Sequence, residues 1–314
     1  MKKEDFEFIL FDKLEKIKQI NNEYDLENTS YLSFSGGKDS TVLHYLIDLA
    51  LPNNNIPRLF MNTGIEYIKI VQFVKRLALE DSRIIINNSN VKIKKMLEVK
   101  GYPFKSKSHS HNLAIYQHSG MTKTNISYLG LDNQNTLFKC PSVLKQQFKP
   151  YYSLKVSDKC CYELKKKPML KWAKKHNKTY VLTGMRKSEG GARVKLDCIG
   201  NKKIHFLATL EDDFIEWFIK KYNIKLCELY YPPYNFVRCG CKGCPFALHL
   251  QEELDTLKKL LPSEYKQTWY LWGKVYKEYE RLNYRLEKHI PNLFDYELKE
   301  WYFKWVLTMF MQLK

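Results

Sequence analysis

The sequence predicts an α/β protein with a doubly wound, mostly parallel sheet and a helical C-terminal extension. Three observations support this prediction. Apolar strand-like runs alternate with helical segments, glycine-containing turns follow two of those runs, and residues 251–314 show helical spacing alone. Strands that alternate with helices form parallel sheets, because each helix crosses one face of the sheet before the next strand begins.

The composition is that of an ordinary globular protein. The 314 residues are 44% hydrophobic and 27% charged, enough for one large domain with an appendage or for two domains. No apolar run of about 18 residues occurs, and residues 1–5 carry charges where a secretion signal needs apolar residues. We therefore expect a cytoplasmic protein with no membrane partner, in which eight cysteines serve metal or redox chemistry rather than disulfides.

Each expected element follows from a change in hydrophobic period. An amphipathic helix over residues 4–20 opens the chain, because its apolar residues recur at helical spacing. Strands are predicted at residues 31–34, 58–61, 83–86 and 179–183, and helices at 40–51, 66–79, 91–99 and 211–221. Because glycine turns follow the first two strands, a ligand site is expected at the carboxyl ends of the strands.

Two segments fall outside this alternation. Residues 101–150 are rich in Ser, His, Asn and Lys and are expected to form an irregular functional loop or lid. Helices are predicted at residues 250–261, at 265–285 and from Tyr296 to the end, so we place domains at 1–250 and 251–314. Aromatic side chains of this tail are expected to pack in a core, with base stacking as the alternative; they are Trp269, Tyr270, Trp272, Tyr276, Tyr279, Trp301, Tyr302 and Trp305.

The turn with sequence SGGKDS, residues 35–40, is a candidate phosphate site. Gly36 and Gly37 let the backbone approach a ligand closely, and the N–H groups that open the next helix point toward an anion. Lys38 adds a positive charge, and Ser35 and Ser40 add hydroxyl donors. The spacing is not that of a Walker P-loop, because Asp39 follows the lysine. On residue type alone, a tight turn without a ligand is the alternative.

Three segments resemble one family. The SGGKDS string resembles the signature of the PP-loop superfamily, the adenine nucleotide α-hydrolases, and residues 60–67 (FMNTGIEY) resemble the second nucleotide-contacting turn of its phosphoadenosine phosphosulfate (PAPS) reductase family. Residues 184–193 (GMRKSEGGAR) resemble that family's G-x-R-x-x-E-S-x-x-R segment, except at Gly190, where serine is expected. The resemblance implies a Rossmann-like fold that binds ATP, adenylylsulfate (APS) or PAPS through residues 35–40, Thr63, Gly64, Glu66, Gly184 and Glu189.

Four charged residues are expected to act in catalysis. Arg186 and Arg193 suit bidentate binding of sulfate or phosphate oxygens, and Glu189 is suited to hold one of them in place. The resemblance implies that Lys38 binds phosphate and that Asp39 positions Mg²⁺ when the nucleotide is ATP. The alternative for the Arg-Glu-Arg run is a set of surface salt bridges.

Two cysteine pairs, Cys160-Cys161 and Cys241-x-x-Cys244, suit either an iron–sulfur cluster or structural Zn²⁺. The surrounding residues 155–168 and 238–246 resemble cluster-binding segments of adenylylsulfate-type reductases and PAPS-reductase-like proteins, which implies a [4Fe-4S] cluster on these four residues. Zn²⁺ is the alternative. The remaining candidates have these expected roles: Cys239 and Cys140 as substitute ligands or redox thiols, Cys198 and Cys227 as core or surface residues, and His109 and His111 as side chains that face water.

One feature of the family is missing. Its reductases attack the sulfate sulfur with a cysteine near the C-terminus, but no cysteine follows Cys244. Three functions are therefore open. The first is an enzyme of sulfur metabolism that acts on an adenylylated nucleotide, with a thiol or electron-donor protein as partner. The second is an ATP-pyrophosphatase that adenylates tRNA or DNA for sulfur insertion, and the third is a noncatalytic module that binds nucleotides or nucleic acid.

The charge of the chain suits a polyanionic partner. The 52 basic and 34 acidic residues give a net charge of +18, and the segment from Lys155 to Lys178 holds nine lysines and two acids. This segment predicts either a polyanion-binding patch or a solvated helix face.

Overall fold

A computed structural model describes residues 3–132 and 139–288 of the chain. The elements in chain order are α1 (Lys3–Tyr24), α2 (Leu26–Thr29), β1 (Ser30–Ser33), α3 (Lys38–Ala50), β2 (Arg58–Asn62), α4 (Ile68–Glu80), β3 (Ile84–Asn88), α5 (Ile93–Lys100), α6 (Lys107–Ser119), α7 (Lys123–Leu129), α8 (Lys167–Lys175), β4 (Tyr180–Leu182), β5 (Ile199–Gly200), β6 (Lys203–Ile204), α9 (Asp212–Lys221), α10 (Leu250–Leu260) and α11 (Pro262–Leu282). A π-helical turn, Tyr162–Lys166, leads directly into α8.

The strands form one sheet in the order β3-β2-β1-β4-β6-β5. All neighbouring pairs are parallel except the short hairpin of β5 and β6. The chain winds from β1 through β2 to β3 and then returns to place β4 on the other side of β1. A parallel sheet leaves a crevice for a ligand at such a reversal, outside the carboxyl ends of the strands. The prediction of a doubly wound, mostly parallel sheet is confirmed.

The sheet buries both of its faces. Leu32 and Phe60 belong to the main core, which α1, α3, α4 and α9 help to form, whereas Tyr31, Leu59 and Met61 pack against α8. Successive side chains of a strand point to opposite faces, so these continuous apolar strands need a cover on each side. Helix α8 is therefore part of the cover on the second face.

The predicted strands and helices of the sheet are present, with ends that shift by a few residues. The two strands β5 and β6 were not predicted, because two residues each are too few to show a period. Their pairing extends the sheet beyond β4.

The prediction that residues 101–150 form an irregular loop is wrong. The segment contains α6, α7 and a 3₁₀ turn at Ser142–Phe148. Each α-helix begins at a capping side chain: the Ser106 hydroxyl accepts from the His109 N–H, and Thr122 forms a capping box with Asn125. These caps are visible in the sequence, but α6 lacks an apolar stripe because its buried side includes His109 and Asn112.

Helices α10 and α11 contribute to the same core as the sheet. Leu254, Trp272 and Tyr276 belong to the cluster of buried side chains that contains Phe60. The domain boundary near residue 250 stays a prediction, while core packing of the aromatic tail is confirmed at Trp272, Tyr276 and Tyr279. The predicted helix from Tyr296, with Trp301, Tyr302 and Trp305, lies outside the described residues. Among the helices that the structure describes, none has the length and apolarity needed to cross a bilayer.

Candidate functional site

A cavity of about 480 Å³ opens at the carboxyl ends of β1, β2 and β4. Its walls come from the glycine turn after β1, the turn after β4, residues 237–240, and the side chains of Glu66, Lys165 and Met169. The cavity lies where the reversal of the sheet leaves room for a ligand. The predicted site residues that line it are Ser35, Gly37, Lys38, Asp39, Ser40, Glu66, Gly184, Glu189 and Arg193.

The glycine turn joins buried strand β1 to α3. Gly36 has a φ of +69°, and a Cβ at this position would lie 2.7 Å from Val74 Cγ2, so the turn requires glycine there. The Ser40 hydroxyl accepts from the Ser35 N–H at 3.2 Å, which closes the turn. The N–H of Lys38 donates to the Tyr230 hydroxyl at 2.9 Å. The positive end of the α3 dipole therefore lies at the wall of the cavity.

Arg186 is buried and joins the start of α3 to the turn after β4. Its Nε donates to Asp39 Oδ1 at 2.8 Å, and its Nη2 donates to Asp212 Oδ1 at 2.6 Å. Burial by itself would lower the pKa of Arg186, but the Asp212 and Asp39 carboxylates raise it above its ordinary value. The guanidinium thus holds Asp39 in place. Anion binding by Arg186 and Mg²⁺ positioning by Asp39 stay predictions.

Glu189 organises two further cations at the cavity. Its carboxylate forms ion pairs with Arg193 and Arg238, and it also accepts from the Arg186 N–H at 3.1 Å. Both Arg193 and Arg238 line the cavity. Two guanidinium groups around one carboxylate leave a net positive charge, which suits an anionic ligand. The role of Arg238 was not predicted, because only the fold brings residue 238 beside Glu189.

Glu66 stabilises the second turn from inside the protein. Its carboxylate accepts from the Thr63 N–H at 2.8 Å and from the Thr63 hydroxyl at 2.9 Å, with Gly64 in left-handed backbone between them. Burial by itself would raise the pKa of Glu66, but Lys165 and the backbone N–H donors hold it below its usual value. Thr63 and Gly64 therefore serve to position a charged carboxylate that lines the cavity.

The second cysteine segment pairs with this turn through the backbone. The N–H of Lys242 donates to the Ile65 carbonyl at 3.0 Å, and Glu66 forms an antiparallel β-bridge with Cys241. This pairing holds residues 241–244 beside the second turn, residues 60–67. There Cys241 and Cys244 are close enough to the Cys160-Cys161 pair to interact with it electrostatically.

The four predicted ligand cysteines meet in one place. Burial raises the pKa of Cys160, and the thiols of Cys161, Cys241 and Cys244 raise it further because each would carry a negative charge. Burial likewise raises the pKa of Cys241 and Cys244. Thiols that oppose ionisation in this way are stabilised as thiolates by a bound cation, which is the chemistry of a metal ligand set.

Lys165 connects these thiols with the cavity. Its Nζ lies 3.1 Å from Glu66 Oε1, and its charge also interacts with the Cys241 thiol. Burial by itself would lower the pKa of Lys165, but Cys241 and Glu66 raise it above its ordinary value. A single ammonium group therefore interacts with both Glu66 of the second turn and Cys241 of the cysteine group.

The spacing of the four thiols bears on the type of metal. Among the described residues, His44, Asp48 and Asp81 form the only group of three such side chains whose ligand atoms all lie within 4.8 Å of one another. No three of the four thiols are that close. Tetrahedral zinc with bonds of about 2.3 Å holds its sulfurs about 3.8 Å apart, whereas each thiolate of a four-iron cluster binds a different iron. Four thiols suit either metal, and the choice between them stays a prediction.

Helix α11 positions the Cys241–Cys244 loop through three buried aromatic side chains. Trp272 Nε1 donates to the Lys242 carbonyl at 3.2 Å, and the Tyr279 hydroxyl donates to the Pro245 carbonyl at 2.8 Å. Between them, the Tyr276 hydroxyl donates to the Gly243 carbonyl. The aromatic tail thus supplies donors for carbonyl groups of the loop that are shielded from water.

Glu253 of α10 makes a second connection between the two segments. Its carboxylate accepts hydrogen bonds from the Gly243 N–H at 2.7 Å and from the Tyr67 hydroxyl. Tyr67 directly follows Glu66 in the second turn. Burial raises the pKa of Glu253, although the hydrogen bond from Tyr67 opposes that shift. The helical extension is therefore part of the structure that supports the site.

Cys239 and Cys140, the candidate substitute ligands, have different surroundings. Cys239 lines the cavity beside Tyr230, and burial raises its pKa to about 12. Cys140 is buried near Lys105 and Tyr128, where burial raises its pKa to about 11. Cys227 is a core residue, as predicted, and Cys198 is half-buried.

The expectation that both histidines of α6 face water is wrong for His109. His109 is buried, with Nδ1 2.9 Å from the Tyr128 hydroxyl and Nε2 2.8 Å from Gln147 Oε1. Burial lowers its pKa to about 4, so the ring is neutral near pH 7. His111 is exposed and lies 3.5 Å from Asp158.

Known proteins with similar structures are distant from this chain. A PAPS reductase from Candida auris in a phosphate complex is 14% identical with a TM-score of 0.43, covering 77% of this chain and 96% of the other. An NH3-dependent NAD synthetase from Campylobacter jejuni is 15% identical with a TM-score of 0.40, covering 92% and 98%. The U34-tRNA thiolase NcsA from Methanococcus maripaludis, with its [4Fe-4S] cluster, is 17% identical with a TM-score of 0.37, covering 92% and 84%. TM-scores this low support no argument about this chain.

The family comparison is decisive. No curated protein sequence matched the chain. The family model described as the phosphoadenosine phosphosulfate reductase domain matches residues 29–136 and 121–247, which is more than half of the chain and includes the glycine turn and the four cysteines predicted as ligands. The chain therefore belongs to the phosphoadenosine phosphosulfate reductase domain family.

Proposed function

We propose that this chain is an enzyme of sulfur metabolism that binds an adenylylated nucleotide, PAPS, APS or ATP, and holds a [4Fe-4S] cluster beside it. The observation that supports this proposal is the contact of Lys165 with both Glu66 and Cys241. The cavity and the group of thiols share one half-buried cation, so a change of charge at either one alters the energy of the other.

The nucleotide phosphates would bind at the glycine turn. Lys38 and the first N–H groups of α3 supply positive charge there, and the hydroxyl groups of Ser35 and Ser40 add donors. The Lys38 N–H donates to the Tyr230 hydroxyl in this structure, so this hydrogen bond would break when the N–H donates to a phosphate oxygen instead. When the nucleotide is ATP, Asp39 is the carboxylate available at the turn to position Mg²⁺.

The terminal sulfate or phosphate would bind at the Arg193 and Arg238 side of the cavity. Glu189 holds both guanidinium groups in place, so their orientation is set before the ligand arrives. Arg186 acts through Asp39, whose carboxylate it fixes.

Cys160, Cys161, Cys241 and Cys244 would hold the cluster, with Zn²⁺ as the alternative metal. When bound, such a cluster supplies a polarising and redox-active centre next to the cavity. Lys165 interacts with the Cys241 thiol and pairs with Glu66, so this chain's own residues would set the charge between metal ligands and nucleotide. A thiol compound or an electron-donor protein would be the reductant.

Product analysis tests the proposal. Anaerobically purified protein is incubated with ATP and Mg²⁺, and separately with PAPS or APS and a thiol. Sulfite release supports reduction, and pyrophosphate release supports adenylation. The variant Lys38→Ala should lose the product, whereas Lys18→Ala, which removes an exposed lysine of α1, should not. Failure of both reactions in protein with a loaded cluster would contradict an enzyme and leave a nucleotide-binding module.

Metal analysis tests the cofactor separately. Iron, zinc and acid-labile sulfide are measured with the visible spectrum in wild type, Cys160→Ser and Cys198→Ser. We expect iron and a visible band that disappear in Cys160→Ser and persist in Cys198→Ser, whose side chain lies outside the four-thiol group. Zinc without iron would replace the cluster assignment.

An ATP-pyrophosphatase that adenylates tRNA or DNA for sulfur insertion is the second candidate. The excess of lysines on α8 favours it, since nucleic acid would bind next to the cavity. In that case nucleic acid should stimulate pyrophosphate release from ATP.

A further inference from the structure

The helical segment that follows Cys161 has two different sides. Lys165 and Met169 line the cavity, and Ala173 is buried against the sheet. The rest of its surface carries exposed lysines, of which Lys167, Lys171 and Lys174 lie opposite the cavity side. We define the lysine face as these residues together with two exposed lysines from other segments: Lys107, Lys166, Lys167, Lys171, Lys174, Lys175 and Lys203.

The lysine face carries more positive charge than its neighbours neutralise. Lys167 pairs with Glu163 at 3.1 Å. Within residues 3–132 and 139–288, no carboxylate lies within ion-pair distance of Lys166, Lys171 or Lys174. A solvated helix face of a stable protein usually mixes both signs of charge, because like charges repel.

The fold brings cations from three distant segments to the same place. Lys166 interacts electrostatically with Lys107 and Lys203, and also with Cys161 and Asp158 of its own segment. Lys107 opens α6, and Lys203 belongs to the short strand β6. Convergence of α6, β6 and the α8 segment therefore extends the positive surface beyond one helix, and binding of a polyanion would relieve this repulsion.

Exposed apolar side chains are interspersed with these lysines. Tyr162 and Leu170 are 44% and 59% exposed, and they lie at four-residue spacing from Lys166 on the same side of the helical segment. Aromatic rings among cations offer surfaces on which unpaired bases stack. Insertion into a membrane would need a free apolar stripe, but the apolar side of this helix is already packed against the sheet.

We propose that the lysine face binds single-stranded nucleic acid and places it beside the nucleotide cavity. The helix is a shared wall, because Lys165 and Met169 face the cavity while the lysine face is turned to solvent. That the bound nucleic acid accepts sulfur rests on the proposed function. That it binds to the lysine face does not.

Binding of fluorescent oligonucleotides tests the proposal in the full-length protein. Single-stranded RNA, single-stranded DNA, duplex DNA and polyglutamate are titrated at several salt concentrations. The face variant is Lys171→Gln, Lys174→Gln, Lys175→Gln. The control, Lys258→Gln, Lys259→Gln, Lys266→Gln, removes three exposed lysines of α10 and α11 and causes the same change of net charge.

We expect the face variant to bind single strands at least about tenfold more weakly, with a salt slope smaller by about 2, or about 0.7 for each lost phosphate contact. The control variant should bind as wild type does. Tyr162→Ala should weaken binding of single strands more than binding of duplex. The RNA and DNA arms identify which strand is preferred.

Three results would overturn the proposal: equal losses in the face and control variants, no loss in either, or polyglutamate bound as tightly as the oligonucleotides. ATP affinity and thermal unfolding of each variant show that the fold and the cavity are intact. A failure of the proposed enzyme reaction would leave these binding results unchanged, so the two proposals fail separately.

Discussion

Gly243 gives a direct test of how α11 determines the position of the loop that carries Cys241 and Cys244. It lies between Lys242 and Cys244 with a φ of +57°. A Cβ at this position would overlap the Tyr276 hydroxyl and would lie 2.7 Å from Thr268 Cγ2 and 2.8 Å from Thr268 Cβ. These atoms belong to a buried part of α11, so Gly243→Ala must displace either the loop or the helix.

The expected loss of stability has two parts. A left-handed backbone costs a residue with a Cβ about 1–2 kcal/mol relative to glycine. Insertion of a methyl group into a packed contact costs about 1–3 kcal/mol. Together they lower the free energy of unfolding by about 2–5 kcal/mol, a large share of the total stability of about 5–15 kcal/mol for a domain. Because Cys244 follows directly, its thiol should also move away from the other three.

Urea unfolding and iron content measure these two effects. The matched control is Gly240→Ala, three residues earlier in the same segment, where a Cβ would meet nothing within 4 Å and φ is not positive. We expect Gly240→Ala to change the free energy of unfolding by less than about 1 kcal/mol and to keep its iron. Equal stability and iron content in the two variants would refute the conclusion that contact with α11 fixes the position of the loop.

Further predictions concern single side chains. Lys165→Ala should lower the free energy of unfolding by about 2 kcal/mol in a urea titration. This is less than the loss of about 3–5 kcal/mol for a fully buried ion pair, because Lys165 is one-third exposed. The control Lys167→Ala breaks an exposed ion pair on the same segment and should lower it by less than about 1 kcal/mol. Cys239→Ser should retain iron and the visible band while Cys241→Ser loses both, and loss of iron in Cys239→Ser would make Cys239 a ligand. His109 stays neutral in the folded protein down to pH about 4, while the unfolded chain binds its proton near pH 6.5, so the unfolded state is favoured increasingly as the pH falls through this window. Between pH about 6.5 and pH about 4, His109 should therefore lower the free energy of unfolding by about 3 kcal/mol. His109→Gln should flatten the dependence of this free energy on pH, whereas the exposed-site control His118→Gln should not. An unchanged pH profile in His109→Gln would contradict a buried neutral ring.

The sheet and its glycine turn were predictable because their signals are local. A run such as residues 31–34 followed by two glycines specifies strand and turn within ten residues, and helical spacing after Lys38 specifies the next element. Helices α6 and α7 were missed although Ser106 and Thr122 are capping residues. Their buried sides hold polar groups such as His109 and Asn125, so hydrophobic period did not reveal them.

Other features depend on contacts between residues distant in sequence. Arg186 and Glu189 were expected to bind or support an anion, but the carboxylate of Asp39 occupies Arg186, and Arg238 joins Arg193 at Glu189. Residue type specified the charges, whereas only the folded chain decides which charges pair, because pairing requires side chains to be within a few ångströms.

Patterns within short stretches of the chain specified the class of sheet and the turn that opens α3, since each depends on short-range spacing. The same patterns picked out two cysteine pairs, whose role as ligands stays a prediction. Only the folded chain shows that Lys165 lies between Glu66 and Cys241, and that α11 donates hydrogen bonds to the loop carrying Cys241 and Cys244. Those contacts join residues that are far apart in the sequence, and their energies depend on burial, which no local pattern specifies.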